Sequence, residues 1–328
     1  KKQILWVAIS VPVMICVILI EYNWLVKISP ILYGISLLLL IAVLFTEPIN
    51  GASSWFTFGA FTFQPAEFAK IVVILFTTYV IIKIQKTDKD EMNRFWKLGL
   101  IALTVAVPVV LIIKQPDYGT AFAFLMALIF MLFVAGIKKK YILISILLIV
   151  ILVPIAYFWI LPEHAKSRID VYLNPDIDPR GAGYNIIQSK LAIGAGQIFG
   201  MGLLKGNQTQ LGYLYPKTTD FIFAVIGEEL GFIGGAAVII LYIILVTKAV
   251  KVAKTAKDDE GSYIAAGIAG IFFFHMLENI GMTMGLLPIT GIPLPFVSYG
   301  GSSLLTNLIL IAILLNISGR RQRTLFIE

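Results

Sequence analysis

The feature that most constrains this chain is a series of long apolar runs that recurs from one end to the other. The runs are about 17 to 28 residues long, and a helix of about 20 apolar residues crosses a bilayer core of roughly 30 Å. With 59% hydrophobic and 14% charged residues, the composition agrees, because a soluble domain is about a quarter charged. We therefore predict an all-α polytopic membrane protein that forms a single domain over 1–328. Its spans lie near 4–20, 28–46, 65–82, 98–113, 119–136, 141–161, 220–247, 262–287 and 299–317.

The basic residues predict how these spans are oriented. Of the 26 Lys and Arg residues, fifteen fall in four short clusters. Adjacent clusters are separated by an even number of spans, so all four can lie in the cytoplasm, as the positive-inside rule requires. The net charge of +7 then reflects topology, and we expect no nucleic-acid partner. The clusters are Lys83, Lys86, Lys89, Arg94 and Lys97; Lys138, Lys139 and Lys140; Lys248, Lys251, Lys254 and Lys257; and Arg320, Arg321 and Arg323.

This topology puts the C-terminus in the cytoplasm and a large loop, 162–219, outside the cell. It also puts Lys1 and Lys2 outside, which the same rule disfavours, and no cleavage site of small residues follows the first apolar run. We expect that the natural protein has a further N-terminal helix, and hence ten spans of which nine are visible in this chain. Within the outer loop, 185–193 is predicted to form a short helix.

Polar residues gather at the outer ends of the spans and in the outer loop. Ionisable residues within membrane segments are energetically costly and tend to line substrate paths, so we predict that the functional site lies on the outer face. Beside the carboxylates treated below, the candidate substrate-binding residues are Glu67, Lys70, Lys114, Asp117, Arg168, Gln188, Lys190, Ser298, Gly300, Gly301, Ser302 and Ser303. The last four begin a helix, whose N–H groups favour an anion.

Several of these assignments have a plainer alternative. Glu67 and Lys70, three residues apart, also fit an ion pair on a helix surface. Asp117 also fits ordinary turn chemistry, and Asp220 also fits a helix N-cap. These alternatives stay open on the sequence alone.

Three carboxylates mark the start of the seventh span. Glu228 lies about 80° around the helix from Asp220 and roughly 12 Å deeper, beyond the separation of about 5–9.5 Å in a glycosidase pair. Asp220 is therefore the candidate catalytic residue, a lone general base, and a metal ligand is an alternative role for it. Glu228 and Glu229 are expected to hold the cavity wall through hydrogen bonds or to bind a cation. His275 and Glu278 fit a buried hydrogen-bonded pair better than a metal site.

Two other motifs are set aside. The stretch "GAGQIFG" at 194–200 is similar to a dinucleotide fingerprint, but no strand precedes it and it lies in the outer loop. The stretch "SYGGSS" at 298–303 lacks the G-x-S-x-G elbow of acyl transferases and hydrolases. The single cysteine, Cys16, excludes an intrachain disulfide.

Five motifs taken together resemble the SEDS family (shape, elongation, division and sporulation), and they are most similar to its RodA branch. The motifs are "QPAEFAK", "KQPDYGTA", "GYNIIQSKLAIG", "TTDFIFAVIGEELGFIGG" and "GIPLPFVSYGGSSLL". They run in the family's order over essentially the whole chain, and family members have ten spans. By this resemblance the catalytic aspartate of the family matches Asp220 and its outer-loop arginine matches Arg168. The QPSE-type motif matches Gln64, Pro65 and Glu67, and the PDxGT turn matches Pro116, Asp117, Gly119 and Thr120.

The resemblance implies a peptidoglycan glycosyltransferase that polymerises glycan strands for cell elongation and rod shape. Its substrate would be lipid II, a disaccharide-pentapeptide on undecaprenyl pyrophosphate. The implied partners are a class B penicillin-binding protein and other elongation-complex proteins, and the implied cofactor is a divalent cation, Mg²⁺ or Mn²⁺. The implied location is the bacterial cytoplasmic membrane, with the active site outside. The alternatives are a lipid II flippase or transporter and a non-catalytic scaffold for a penicillin-binding protein.

The chain departs from the family pattern at three places. Ala66 replaces the serine of the QPSE motif, Met201 replaces the lysine of a common "GKG", and "KTTD" replaces "EHTD" before the aspartate. The last two changes lie in the outer loop, so the roles of its flanking residues do not carry over from the family.

Overall fold

A computed structural model of the chain describes residues 2–48, 52–59, 61–86, 88–160, 163–178 and 181–321. Arg323 of the fourth basic cluster lies outside the described residues. The helices are α1 (Lys2–Leu19), α2 (Tyr22–Ala42), α3 (Pro65–Gln85), α4 (Phe95–Ile113), α5 (Tyr118–Ala135), α6 (Lys139–Ile155), α7 (Glu163–Leu173), α8 (Ala182–Ala195), α9 (Asn207–Gln210), α10 (Ile222–Thr255), α11 (Asp259–Thr283) and α12 (Gly301–Gly319). Two short strands, β1 (Phe56–Phe58) and β2 (Phe61–Phe63), form an antiparallel hairpin.

Most of the predicted spans coincide with helices. Among the described residues, six helices are long and apolar enough to cross a membrane: Tyr22–Phe45, Phe95–Ile113, Tyr118–Ala135, Ile222–Thr255, Asp259–Thr283 and Gly301–Gly319. The chain is thus a helical multi-pass membrane protein. The helix α3 has the length of a span, 21 residues, but carries Glu67, Lys70 and Lys83. The count of nine spans stays a prediction.

Proline and glycine fix where several helices begin and end. Pro65 is the first residue of α3, where its missing N–H has no helical partner to lose. Gly136 follows α5 with φ 90° and ψ 39°, the left-handed conformation that ends helices. Between α11 and α12 the chain stays non-helical through Pro288, Pro293 and Pro295.

Contacts between residues divide the chain into two compact units. The first comprises the described parts of 1–136, 243–274 and 299–328. In it α1 packs along α12, α2 packs along α3, and α3 contacts α4 and α5. Gly270 of α11 lets the backbones approach closely, since a Cβ there would lie 2.8 Å from the carbonyl oxygen of Met126.

The second unit comprises the described parts of 137–242 and 275–298. The helix predicted at 185–193 is confirmed as α8, which is longer than expected. It packs through Ala192 into a small apolar core with Leu214, Phe221 and Ala224. This core joins α8 to the segment that carries Asp220.

The helix α10 is interrupted at Gly231, where φ is 67° and ψ is −164°. The interruption leaves backbone groups without their helical partners, and the outer-loop segment 197–202 supplies new ones. Four hydrogen bonds do this: Met201 N to Glu228 O (2.9 Å), Gly202 N to Glu229 O (3.0 Å), Phe232 N to Gln197 O (2.8 Å) and Ile233 N to Ile198 O (3.2 Å). Irregular backbone at membrane depth is tolerated only when it is satisfied in this way.

Two glycines of "GAGQIFG", Gly196 and Gly200, permit this pairing. A Cβ on Gly196 would lie 1.8 Å from the carbonyl oxygen of Gly227, and one on Gly200 would lie 2.2 Å from that of Glu229. Real Cβ contacts are never that short. Gly196 and Gly200 therefore allow the outer-loop backbone to pack closely against α10.

Candidate functional site

Asp220 lies in a turn two residues before α10, in the second unit, and is half-buried. A Cβ added to Gly291 would lie 3.4 Å from Asp220 Oδ2, so the carboxylate faces the backbone of Gly291. Gly291 has φ +74°, a conformation that glycine adopts without strain. The aspartate thus lies against residues 288–296, which we call the proline loop.

Side chains from three helices hold the proline loop at successive positions. Arg168 of α7 donates to the carbonyl oxygen of Ile289 at 3.4 Å. From α11, Glu278 accepts a hydrogen bond from the Thr290 hydroxyl at 2.9 Å, and the ring of His275 lies 2.9 Å from the carbonyl oxygen of Pro293. The hydroxyl of Tyr242 in α10 donates to Pro295 O.

Two further side chains join the proline loop to the segment of Asp220. Asn279 of α11 is fully buried, and its Nδ2 donates to Asp220 O at 2.9 Å and to Ile292 O at 2.8 Å. The hydroxyl of Ser298 donates to Thr219 O at 2.6 Å and accepts from Leu294 N at 2.8 Å.

Sequence reasoning missed Asn279. Its signal was present, because it lies four residues after His275 and so on the same helix face. In the structure, three of the predicted residues contact the proline loop: Arg168, Asp220 and Ser298.

The other predicted residues of the outer loop lie on α8. Gln188 is half-buried and Lys190 is exposed. The side chain of Lys190 lies over Gly285, where an added Cβ would be 2.1 Å from its Cε. Ser189, which lies between Gln188 and Lys190 in the sequence, is buried, and its hydroxyl donates to Thr283 O at 2.6 Å.

Glu228 is fully buried and holds the outer loop by hydrogen bonds. Its carboxylate accepts from the backbone N–H groups of Gln208 at 2.7 Å and Thr209 at 3.0 Å, and from the Thr209 hydroxyl. Lys217 donates to Thr209 O at 2.7 Å. The carboxylate of Glu229 accepts from a side-chain amide, that of Gln210, at 3.3 Å.

A second group of predicted residues lies in the first unit. Glu67 and Lys70 form a 2.9 Å ion pair within α3. They are 3% and 1% exposed, so this is not an ion pair on an exposed helix surface. A cavity of about 10 Å³ lies beside Lys70 and Thr77, the size at which one water molecule fits.

Asp117 precedes α5 and joins that helix to the start of α3. It accepts hydrogen bonds from Gln64 Nε2 at 2.9 Å and from the N–H of Thr120 at 3.1 Å. Burial raises the pKa of Asp117 above its ordinary value, while the Thr120 hydrogen bonds and the charge of Lys70 oppose the rise. The nearby charge of Glu67 adds to the rise.

The predicted residues at the start of α12 also lie in the first unit. Ser302 donates to Thr62 O of β2 at 2.9 Å, and the hydroxyl of Ser303 accepts from Asn307 Nδ2 at 3.1 Å. Gly301 contacts the ring of Trp6, because an added Cβ would lie 1.9 Å from it. Gly300 is the N-cap of α12. Lys114 is exposed at the end of α4.

The side chains that could bind a metal ion are His, Cys, Asp and Glu. Within the part of the chain that the structure describes, no three His, Cys, Asp or Glu side chains form a cluster that could hold a metal ion. A divalent cation such as Mg²⁺ is nevertheless often bound by one or two carboxylates together with substrate phosphates. Asp220 fits a cation held in that way, and does not form a cage of protein ligands.

The fold and these contacts define a class: a multi-pass helical membrane protein with an aspartate at the start of one of its spans, whose backbone is joined to the proline loop through Asn279 and Ser298. Residues 1–323 match the family model described as "Cell cycle protein", that of FtsW, RodA and SpoVE. The chain therefore belongs to this family, the SEDS family.

Relatives of known name agree with this assignment. The peptidoglycan glycosyltransferase RodA of Treponema pallidum is 33% identical over 98% of this chain and 89% of its own length. The peptidoglycan glycosyltransferase MrdB of Escherichia coli is 38% identical over 90% of this chain and 78% of its own length. A probable peptidoglycan glycosyltransferase FtsW of Trichlorobacter lovleyi is 40% identical over 97% of this chain and 83% of its own length.

Solved structures show the same fold. A chain from a peptidoglycan synthase complex, whose structure concerns the coordination of polymerization and crosslinking, matches with a TM-score of 0.83 and 29% identity, over 98% of this chain and 90% of that one. The crystal structure of the Thermus thermophilus rod shape determining protein RodA matches with a TM-score of 0.71 and 26% identity. The match covers 98% of this chain and 88% of that one. The RodA and MrdB relatives and the RodA structure support the predicted RodA branch, although FtsW proteins are also similar.

Proposed function

We propose that this protein is a peptidoglycan glycosyltransferase that polymerises glycan strands during cell elongation. Membership of the SEDS family and the names of the RodA, MrdB and FtsW relatives support the activity. The observation that carries the assignment to a residue is the position of Asp220. It is a half-buried carboxylate at the start of a membrane-spanning helix, with the backbone on both sides of it fixed to the proline loop.

The chemistry needs one base and a stabiliser for the leaving group. Asp220 accepts the proton of the acceptor sugar hydroxyl as its oxygen attacks the anomeric carbon of the donor. The bond from that carbon to the pyrophosphate breaks, and undecaprenyl pyrophosphate leaves. Arg168 donates a hydrogen bond to the proline loop that Asp220 contacts, and in this proposal its positive charge stabilises the pyrophosphate. Asp220 would hold a divalent cation, which when bound would supply positive charge to neutralise the leaving group.

The substrate we propose is lipid II in the outer leaflet of the cytoplasmic membrane, and the partner is a class B penicillin-binding protein. The basic clusters support the location, because they assign the loop of 162–219 and Asp220 to the outside. The relative found in a peptidoglycan synthase complex supports a crosslinking partner. The other predicted substrate-binding residues stay predictions: Glu67, Lys70, Lys114, Asp117, Gln188, Lys190, Ser298 and Gly300 to Ser303.

The test uses the protein co-purified with its cognate penicillin-binding protein, whose transpeptidase is blocked with a β-lactam. Fluorescent lipid II and a divalent cation are supplied, and the products are separated on a gel. We expect a glycan ladder from the wild type and none from Asp220→Asn. The matched control is Asp176→Asn, which removes an exposed carboxylate of the outer loop and should leave the ladder intact. A wild type that binds lipid II but makes no ladder would refute the activity and favour the transporter or scaffold.

A further inference from the structure

We infer that Asn279 and Ser298 are positioning residues that hold the Asp220 carboxylate in its working place by fixing the backbone on both sides of it. This inference rests on the proposed function, since it assigns the two residues a role through Asp220. Neither side chain needs to touch the substrate.

The orientation of the Asn279 amide is fixed by its neighbours. Both of its hydrogen bonds end on carbonyl oxygens, Asp220 O and Ile292 O, and only an NH₂ group can donate to both. The side chain is 0% exposed, so water cannot replace these bonds. Among the described residues, no donor reaches Asn279 Oδ1, and a buried polar atom left in this way is costly. The unpaired Oδ1 destabilises the protein, whereas the two hydrogen bonds of Nδ2 join two backbone segments. An asparagine retained in this setting is expected to serve as a bridge between them.

Ser298 makes a second bridge beside the first. Its hydroxyl donates to Thr219 O and accepts from Leu294 N, and it is 7% exposed. The consecutive carbonyl groups of Thr219 and Asp220 are thus tied to the proline loop at two points. Two hydrogen bonds restrict rotation of the peptide group between Thr219 and Asp220, which a single hydrogen bond would permit.

The side chain of Asp220 then has a defined surface to lie against. Its Oδ2 faces Gly291, which lies between the proline-loop residues bonded by Glu278 and Asn279. A displacement of a catalytic group by 1 Å can lower the reaction rate by about a hundredfold. Removing either bridge frees the peptide of Asp220 or Thr219 and should reduce turnover more than substrate binding.

The test measures kcat and KM for lipid II polymerisation in Asn279→Ala, Ser298→Ala and Asp220→Asn, all in complex with the partner. Ser189→Ala is the control. It removes a buried hydrogen bond from the Ser189 hydroxyl of α8 to the carbonyl oxygen of Thr283, which lies in α11, the helix that carries Asn279. Unfolding temperature in detergent is recorded for each protein. We expect kcat to fall roughly ten- to a hundredfold in Asn279→Ala and Ser298→Ala, with KM within about threefold of the wild type. Ser189→Ala should lower the unfolding temperature and keep its kcat.

The outcomes separate the two claims. If Asp220→Asn polymerises normally, the proposed function of Asp220 fails and the positioning role fails with it. If Asp220→Asn is inactive but Asn279→Ala and Ser298→Ala keep a kcat close to that of Ser189→Ala, only the positioning role is refuted. Should Asn279→Ala fail to fold, Ser298→Ala decides alone, since it removes a single oxygen atom.

Discussion

At the scale of single residues, Glu67 and Lys70 form a buried ion pair in the first unit. Both side chains lie almost completely out of contact with solvent. Desolvation of two charges offsets most of their attraction, so such a pair contributes little net stability, whereas removal of one partner strands the other charge.

We predict that Lys70→Met destabilises the protein by about 3–5 kcal/mol, seen as a lower unfolding temperature in detergent. The double variant Glu67→Gln with Lys70→Met should recover most of that loss, because Glu67 is then no longer a buried charge without its partner. Lys83→Met, which removes an exposed lysine at the end of the same helix, is the control and should have little effect. If Lys70→Met were as stable as this control, the pair would not be buried as the structure shows.

The sequence predicted which residues are polar and near one another, but not their surroundings. The spacing of Glu67 and Lys70 fits an exposed and a buried pair equally well, and only packing decides between them. Asn279 was missed for a related reason. Its partners, Asp220 and Ile292, are 59 and 13 residues away, and the first of these distances is beyond the reach of any local pattern.

At the scale of elements, the interruption of α10 could not be predicted. The apolar run over 220–247 is continuous, and Gly231 is one of several glycines in it. What sets Gly231 apart is its φ of 67° and its closeness to the outer loop.

We predict that Gly231→Ala is strongly destabilising. The conformation alone costs about 1–3 kcal/mol for a residue with a side chain, and the new Cβ would lie 2.3 Å from Gly200 N. Gly235→Ala in the same helix would meet only the ring of Phe223, at 3.4 Å, and should be tolerated. Thermal unfolding of the two variants in detergent compares them, and equal stability would show that α10 is not interrupted at Gly231.

Glu228 provides a second test of how the outer loop is held. In Glu228→Gln one oxygen is replaced by an NH₂ group that faces the donors of Gln208 and Thr209. An unsatisfied buried donor costs about 1–3 kcal/mol, so the loop should open more often. We predict that trypsin cleaves after Lys205 roughly five- to a hundredfold faster in this variant.

The control for this experiment is Glu163→Gln, which changes a carboxylate that is 93% exposed. It should be cleaved at the wild-type rate. If Glu228→Gln were cleaved no faster than Glu163→Gln, the hydrogen bonds of Glu228 would not be what holds the loop.

At the scale of the whole molecule, hydropathy was enough to predict a helical multi-pass membrane protein, because a bilayer admits few other solutions for so many apolar runs. The confirmed helix α8 and the start of α12 at Gly301 were also predictable, from local periodicity and from glycine. The division into two units and the convergence of Arg168, Asp220 and Asn279 were not, since they depend on contacts between distant segments.

The predicted topology can be tested by labelling single cysteines in intact cells. The free Cys16 is first replaced by serine. With a membrane-impermeant maleimide we expect Lys205→Cys in the outer loop to react at once. Lys257→Cys, in the third basic cluster, should react only after the membrane is permeabilised. Both positions are exposed, so access depends on the side of the membrane, and the reverse pattern would invert the topology.

The most direct test of the central claim, that Asp220 is the base that activates the acceptor sugar, compares binding with chemistry in one preparation. Lipid II affinity and the rate of glycosidic bond formation are measured for the wild type and Asp220→Asn in complex with the partner. We predict an affinity within about threefold and a rate lower by roughly 10²–10⁴, the range that a general base contributes. A variant that turns over at the wild-type rate, or whose loss of rate is fully explained by lost binding, would contradict the claim.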